Sequence, residues 1–280
     1  MGDDHRRARL ERRLHDLVAG HRFEIAVVFP VVGAVTLLAS AWGLLPPVLS
    51  FNPYFILFGT VVMRLPLVAG LAPLVDRRAA VALAALTVYA FGIELVGVAT
   101  GWPYGEFAYL IELGPMLAGE VPLGLPVFFF PIVVNSYLLV VLLLGPRARS
   151  RLLRLVAVAA TVVWMDVVLD PAAVALGFWE YYPGGAYHGV PLSNYAGWVL
   201  SAVVSVGILD WGFSRAGLQA RVADCEYLLD DLVSFVILWG TVNLAFGQLV
   251  PAFAAGVLGV ALLRTDRFDF AVLRDRIPST

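Results

Sequence analysis

The chain has 280 residues, 60% of them hydrophobic, and a mean hydropathy of +0.85. Soluble domains carry about 45–50% apolar residues, so this composition excludes a soluble globular protein and indicates a polytopic membrane protein. A formal charge of −2 and a single cysteine, Cys225, exclude a disulfide framework and a cysteine-based metal site.

The first 22 residues form a basic arm that contains six of the nineteen basic residues, all of which are arginine. An arm of this kind is expected to orient the protein and to contact anionic lipid rather than nucleic acid. The sequence therefore predicts a cytoplasmic N-terminal arm over residues 1–22.

Apolar segments of about twenty residues, the length that crosses a bilayer core of roughly 30 Å, then follow one another along the chain. Because a backbone in lipid must satisfy its own hydrogen bonds, helices are favoured. The expected fold class is all-α, a polytopic integral membrane helical bundle with 7–8 transmembrane helices. The predicted spans lie at 23–45, 51–75, 79–100, 123–144, 152–176, 194–214, 229–247 and, in a shorter segment, 249–264.

Eighteen of the arginines fall on one side of the membrane if all eight segments cross it, and the opposite loops contain none. By the positive-inside rule both termini are then cytoplasmic in a multi-pass protein of the cell membrane. No linker composition divides residues 23–265, which are expected to form a single transmembrane catalytic domain. Residues 266–280 would form a cytoplasmic C-terminal tail.

Two charged residues lie inside the second and third spans. Arg64 and Glu94 are expected to neutralise each other, or Arg64 to pair with the acids of span five. Glu94 is also a candidate catalytic acid, because it precedes Gly101 by seven residues, as Asp170 precedes Gly177. This spacing indicates a weak internal repeat, with chance similarity as the alternative explanation.

The fourth and later spans carry further polar residues. Asn135 could orient water or hold helices together. Three acids lie near the predicted cytoplasmic helix ends, where solvated interface residues are ordinary: Asp210, Asp230 and Asp231.

Span five places two carboxyls, Asp166 and Asp170, one helical turn apart on one face. An acid at membrane depth costs roughly 2.5–3.5 kcal/mol on insertion scales and marks a candidate functional site. Because two nearby carboxylates cannot easily both ionise in a low dielectric, the pair is expected to hold a proton that it can donate. Alternatively, Asp170 caps a half-helix starting at Pro171, which would not exclude catalysis.

Aromatic residues crowd the predicted outer boundary after spans three and five, interleaved with glycine and proline. An aromatic belt is one explanation. Aromatic faces beside buried acids would also suit a reaction through a carbocation, since they stabilise cations by roughly 0.5–2 kcal/mol when desolvated. The residues include Trp102, Tyr104, Tyr109, Trp179, Tyr181, Tyr195 and Trp198.

Two ordered sets of motifs occur within about residues 50–215. The first is Pro103-Tyr104-Gly105-x-Phe107-x-Tyr109 with Asn135-x-Tyr137. The second is Asp166-x3-Asp170-Pro171-x5-Gly177-x-Trp179-x-Tyr181, followed by Gly184-Gly185-x-Tyr187 and Ser193-Asn194-Tyr195-x-Gly197-Trp198. Together they resemble the CruF-type carotenoid hydratase family, most closely its archaeal branch.

The resemblance implies a cofactor-free membrane enzyme that adds water to the terminal double bonds of an acyclic carotenoid, as in the last step to bacterioruberin in halophilic archaea. Protonation of a trisubstituted alkene gives a tertiary cation, which water captures. The carotenoid and membrane lipid are the expected partners, with other membrane enzymes of the pathway as further ones. With no nucleotide-binding glycine loop and no histidine pair at ligand spacing, neither cofactor nor metal is expected.

The residues allow a first assignment of roles. The pair Asp166/Asp170 would donate the proton, with Glu94 as the second candidate. The candidate substrate-binding residues are Tyr104, Trp179 and Tyr181 around the cation, Asn135, Asn194 or Glu180 at the water, and Trp164 and Trp198.

Three other functions remain open from the residues. A carotenoid cyclase begins with the same protonation but leaves the substrate mass unchanged. A proton-coupled transporter could use the charged residues as a relay, although the polar residues of spans three and five lie towards the outer half. A non-catalytic assembly subunit would not need paired buried acids.

Overall fold

The fold is described from a computed structural model that covers residues 2–111 and 113–265. The basic arm forms a helix, α1 (Gly2–Gly20). Six helices that follow are long and apolar enough to cross a membrane. They are α2 (Phe29–Ala41, preceded by a π-helical turn at Glu24–Val28), α3 (Pro53–Leu71), α4 (Arg77–Thr100), α5 (Leu125–Leu144), α6 (Arg151–Leu176) and α7 (Leu192–Gly212).

Three shorter helices complete the described bundle: α8 (Arg215–Asp224), α9 (Asp230–Ala245) and α10 (Leu249–Leu263). The last two coincide with the seventh and eighth predicted spans. At 1.5 Å per residue they are about 24 Å and about 22 Å long, which is shorter than a bilayer core of roughly 30 Å. The helical membrane bundle is thus confirmed, with six candidate spans, but the count of 7–8 crossing helices is not.

The described chain is mostly helical, as the all-α prediction requires, but two small two-stranded sheets that the sequence did not predict cover one end of the bundle. Strand β4 (Trp179–Tyr182) follows α6 and pairs antiparallel with β1 (Glu106–Tyr109). Strand β2 (Met116–Leu117) pairs with β3 (Val121–Pro122). Buried loop backbone must pair its N–H and C=O groups, and strand pairing does so where the helices have ended.

Helices α4, α5, α6 and α7 form a group in which α4 and α6 each pack against both α5 and α7. Helices α4 and α6 therefore stand diagonally across the group. Strand β1 follows α4 and β4 follows α6, so their pairing bridges this diagonal. The arrangement encloses a space between the four helices, under the strands.

Helix α5 is the central helix, because every residue in 131–141 is buried. Three successive polar side chains bind three different neighbouring helices. This is possible because successive residues of an α-helix point in directions about 100° apart. The Asn135 amide donates to Asp231 Oδ2 on α9 at 2.6 Å, and the Ser136 hydroxyl to Met165 Sδ on α6 at 3.3 Å. The third, Tyr137, donates to an Asp210 oxygen on α7 at 2.5 Å.

Prolines inside α5 and α6 leave carbonyls without their usual intrahelical partner, since proline has no N–H. Pro131 frees the Val127 carbonyl, which accepts a bond from Arg64 Nε at 3.1 Å. Pro171 frees the Val167 carbonyl, which accepts from the Tyr187 hydroxyl at 3.4 Å. Side chains from elsewhere thus satisfy the backbone that the prolines interrupt.

Helix α6 runs without a break from Arg151 to Leu176. The alternative that Asp170 caps a half-helix starting at Pro171 is therefore wrong. The Asp170 side chain instead accepts bonds from Tyr181 and Asn194, both outside α6. Donors from other elements hold the carboxyl, so it needs no helix end.

The predicted partners of Arg64 are also wrong. Arg64 forms an ion pair with Asp231 rather than with Glu94 or the acids of span five, because α3 packs against α9. Asp230 and Asp231 were expected to be solvated, yet both are 0% exposed. Burial is possible because each has an arginine partner: Arg22 Nε lies 2.8 Å from Asp230 Oδ2.

Asp210 is partly buried rather than fully solvated, and it forms an ion pair with Arg154. The acids near the predicted cytoplasmic helix ends are thus part of the packed bundle. The predicted tail at 266–280 lies outside the described residues.

We predict that Arg64→Met lowers the free energy of unfolding by about 3–5 kcal/mol, because it leaves the buried Asp231 carboxyl without a counter-charge. The measurement is the midpoint of thermal unfolding of the detergent-solubilised protein. Arg64→Met/Asp231→Leu should recover most of the loss, since the unpaired charge is gone. A double variant no more stable than the single one would contradict the ion pair.

Candidate active site

The paired strands β1 and β4 form a ribbon with one aromatic face. Tyr109 lies opposite Trp179, and Phe107 opposite Tyr181. Alternate residues of a strand point to the same side, so these four side chains share one face. All four line a cavity beneath the ribbon.

The cavity lies between α4, α5, α6, α7 and α9 and has a volume of about 110 Å³. One water needs about 10–15 Å³ on this measure, so there is room for a substrate end and water. Its walls are mainly aromatic and aliphatic. They include Phe128, Phe129 and Ile132 of α5, Trp198 of α7 and Trp239 of α9.

Asp170 lines this cavity, and Asp166 lies one turn earlier on α6, outside the lining. Both carboxyls are buried. The Asn194 amide bridges them, donating to Asp166 Oδ2 at 2.7 Å and to Asp170 Oδ2 at 2.6 Å. The Tyr181 hydroxyl donates to the same Asp170 oxygen at 2.8 Å. Two neutral donors therefore converge on one oxygen of Asp170.

Asp166 is held differently from Asp170. Its Oδ2 accepts from Asn194, whereas its buried Oδ1 finds no hydrogen-bond partner among the described residues. A buried carboxylate is costlier than a neutral carboxyl when the protein donates to only one of its oxygens, so this geometry favours a proton on the Asp166/Asp170 pair.

Glu94 lines the same cavity from α4 and accepts a hydrogen bond from the Tyr109 hydroxyl. Since α4 and α6 are diagonal helices, Glu94 and Asp170 reach the cavity from different sides. The ribbon supplies a tyrosine to each of them, Tyr109 from β1 and Tyr181 from β4. The site therefore contains two carboxyl–tyrosine pairs facing one apolar space.

Both ribbon tyrosines remain hydrogen-bond donors at neutral pH. Burial, followed by the nearby Glu94 carboxyl, raises the pKa of Tyr109 well above its ordinary value. Burial, followed by Asp170, raises the pKa of Tyr181 in the same direction. Neither phenol ionises in the physiological range, so each can only donate to its carboxyl.

Tyr104 is fixed in the cavity wall by its hydroxyl and by its ring. The hydroxyl lies 2.8 Å from Ser201 Oγ on α7, and Tyr89 on α4 bonds the same oxygen at 3.0 Å. Trp198, beside it, stacks on Phe129 with ring centroids 5.5 Å apart. Gly197 permits this packing, because a Cβ there would lie 2.4 Å from Tyr104 Cδ1.

The structure brings together seven of the residues singled out in the sequence along the cavity wall: Glu94, Tyr104, Asp170, Trp179, Tyr181, Asn194 and Trp198. Besides Asp166, three others lie outside the lining. Asn135 donates to Asp231, Trp164 Nε1 donates to the Ala254 carbonyl at 3.0 Å, and Glu180 accepts from Tyr182 on the outer face of the ribbon.

Tyr109 is the cavity residue whose role the sequence reasoning missed. Its motif and its place among the boundary aromatics predict no hydrogen bond to an acid, whereas its hydroxyl donates directly to Glu94. The period-two spacing of Phe107-x-Tyr109 and Trp179-x-Tyr181 is typical of strands and could have indicated one shared face.

Within residues 2–111 and 113–265, no group of three or more His, Cys, Asp and Glu side chains could hold a metal ion. The polar groups of the lining residues are carboxyls, phenols, an amide and indole N–H groups. These groups can donate, accept and orient protons.

The fold and the cavity thus define a helical membrane protein with buried acids in an aromatic pocket. The profile of a family described as carotenoid biosynthesis protein matches residues 51–262. A bisanhydrobacterioruberin hydratase from Haloarcula japonica is 64% identical over 260 residues, which cover 93% of this chain and 88% of that protein. No solved structure matches significantly. The chain belongs to the carotenoid biosynthesis protein family, which confirms the family resemblance found in its motifs.

We predict that Gly197→Ala destabilises the protein, because the new methyl group would collide with the Tyr104 ring and lie 3.2 Å from the Pro103 backbone. Overpacking of this kind costs about 1–3 kcal/mol. The measurement is again the unfolding midpoint in detergent. Gly207→Ala on the same helix is the matched control, since nothing lies within 4 Å of its added methyl. Equal midpoints for the two variants would contradict the close contact.

Proposed function

We propose that this chain is a carotenoid hydratase, a hydro-lyase that adds water to the terminal C=C bonds of an acyclic carotenoid and converts bisanhydrobacterioruberin to bacterioruberin. The observation that carries the proposal is the buried Asp166/Asp170 pair, one member of which opens into an aromatic cavity. The similarity to a hydratase of that name supports the choice of substrate.

The reaction begins with proton transfer from Asp170. The π electrons of the terminal double bond take the carboxyl proton, a C–H bond forms at the less substituted carbon, and a carboxylate remains. The other carbon becomes a tertiary cation. The aromatic faces of Trp179, Tyr181 and Tyr104 stabilise the cation as it forms. Water then adds to the cationic carbon and loses a proton, which gives the tertiary alcohol.

An alkene is a weak base, so its proton donor must leave a well-stabilised anion. Asp170 meets this need, because Tyr181 and Asn194 both donate to its Oδ2. Asp166 keeps Asp170 protonated in the resting state, because two adjacent carboxylates without a cation repel each other. The pair therefore acts as one acid, with Asp170 as the member that delivers the proton.

We further propose that residues 23–265 form one transmembrane catalytic domain with eight crossings and cytoplasmic termini. Contacts at one end of the bundle support this arrangement. Arg22 binds Asp230 at the start of α9, Arg7 donates to the Val75 carbonyl before α4, and Arg221 donates to the Gly70 carbonyl in α3. Arginine-rich segments thus gather at one end, as the positive-inside rule requires of the cytoplasmic side.

On this topology the cavity lies towards the outer face and opens to the lipid in which the carotenoid dissolves. Membrane lipid and the acyclic carotenoid are the proposed partners of the protein at this opening. Other membrane enzymes of the pathway would supply the substrate. The short helices α9 and α10 pack against each other and against α6, and they would form the last two crossings.

The experiment that tests the proposal is mass spectrometry of pigments from cells that accumulate the anhydro carotenoid, with and without this protein. A gain of one or more waters, with label from heavy-oxygen water, is expected. An isomer of unchanged mass would indicate a cyclase instead, and unchanged pigment at good expression would contradict both enzymes.

We predict that Asp170→Asn lowers hydration by about 10²–10⁴-fold, the range that a positioned general acid contributes. The asparagine keeps the size of the side chain but has no acidic proton. The rate of alcohol formation in isolated membranes is the measurement, with expression level and elution from a sizing column as folding controls. A well-folded variant that hydrates at the wild-type rate would remove Asp170 from the mechanism.

A further inference from the structure

We propose that Glu94 is the general base of the same reaction, and that Tyr109 positions it. This inference rests on the proposed function and gives the two carboxyls of the cavity different roles. Asp170 protonates the alkene, and Glu94 takes the proton from the water that adds. The juxtaposition of two carboxyl–tyrosine pairs across one apolar cavity carries the proposal.

Placement is the first argument. Glu94 projects from α4 and Asp170 from α6, the diagonal helices of the group, and both line the space that would hold the double bond. Hydration forms a C–H bond at one alkene carbon and a C–O bond at the next. Two carboxyls that reach the substrate from different sides can serve these two carbons at once.

The surroundings of the two carboxyls assign the roles. Asp170 adjoins Asp166 on α6, and because two adjacent carboxylates repel each other, this pair is the site that keeps a proton at rest. Tyr181 and Asn194 stabilise the anion that Asp170 leaves on donating it. Glu94 is the sole carboxyl residue of α4 and accepts a hydrogen bond from the Tyr109 hydroxyl, so no adjacent carboxylate forces a proton onto it and it can rest as the anion that accepts one. Among the described residues no arginine forms an ion pair with either carboxyl, so neither is neutralised by a cation.

The proton balance closes over one turnover. Asp170 loses its proton to the alkene, and water forms a C–O bond to the cation. Glu94 then accepts the proton that the added water loses. After the alcohol leaves, water in the cavity carries that proton from Glu94 back to Asp170. The net reaction is alkene plus water to alcohol, with no other reactant.

Tyr109 has a positioning role in this scheme. Its hydroxyl holds one Glu94 oxygen, and its place on β1 ties that carboxyl to the ribbon. The edge-on contact with Trp179, with ring centroids 6.3 Å apart, fixes the tyrosine ring in turn. Removing the hydroxyl leaves the carboxyl in place but free to turn from the water.

The test uses membranes in deuterated water and measures two products by mass spectrometry: the alcohol, and deuterium in the recovered substrate. A donor that still works places deuterium on the alkene carbon, and the cation can return to alkene by losing a proton. We expect Glu94→Gln to lower alcohol formation by about 10²–10⁴-fold while the recovered substrate still gains deuterium. Asp170→Asn should lose both signals.

Tyr109→Phe should lower alcohol formation less than Glu94→Gln and raise the ratio of deuterated substrate to alcohol. A merely structural role would lower both products together. Glu94→Asp, which restores a carboxyl one methylene shorter, should recover part of the alcohol. The matched control is Glu106→Gln on the exposed, opposite face of the ribbon, which should leave both signals unchanged.

Two results would overturn the division of roles. One is wild-type hydration by Glu94→Gln, and the other is loss of deuterium incorporation together with alcohol in that variant when it is folded. Wild-type membranes, measured in parallel, distinguish this outcome from a failure of the proposed function. If they form no alcohol, the hydratase itself is refuted, whereas a failed division of roles leaves wild-type hydration intact.

Discussion

The structure depends on one constraint: a polar group in a hydrocarbon interior must find its partner within the protein. The buried acids of the described chain meet it in two ways. Asp230 and Asp231 are paired with arginines and act as ionic links between helices. Asp166 and Asp170 receive only neutral donors. The first way gives fixed charges that hold the bundle, and the second leaves acids that can hold and release a proton.

The same constraint explains why the cavity can exist at all. Two prolines interrupt the helices beside it, and each freed carbonyl is satisfied by a side chain from another element, Arg64 at Val127 and Tyr187 at Val167. The loops that close the cavity pair with each other as strands. Irregular backbone at membrane depth is tolerated here because these side chains and strand pairs bind backbone groups that would otherwise need water.

Local patterns in the sequence predicted those features of the structure that depend only on residues close together in the chain. Apolar length located the helices to within a few residues, and the spacing of Asp166 and Asp170 placed both on one face of α6. Contacts between distant elements could not be derived in this way. The partner of Arg64 depends on α3 packing against α9, and the pairing of β1 with β4 depends on α4 and α6 standing diagonally. Neither arrangement leaves a local signal in a single chain.

Hydration and cyclisation pass through the same tertiary cation, so the proposed protonation alone does not decide between them. The outcome depends on which nucleophile lies beside the cation and whether its proton has somewhere to go. A cyclase traps the cation with an alkene of the substrate, whereas a hydratase must hold a water and accept its proton. In the proposed division of roles that acceptor is Glu94, which lines the cavity from α4 and accepts a hydrogen bond from Tyr109. A second carboxyl facing an otherwise aromatic cavity is therefore the feature that favours water addition over ring closure.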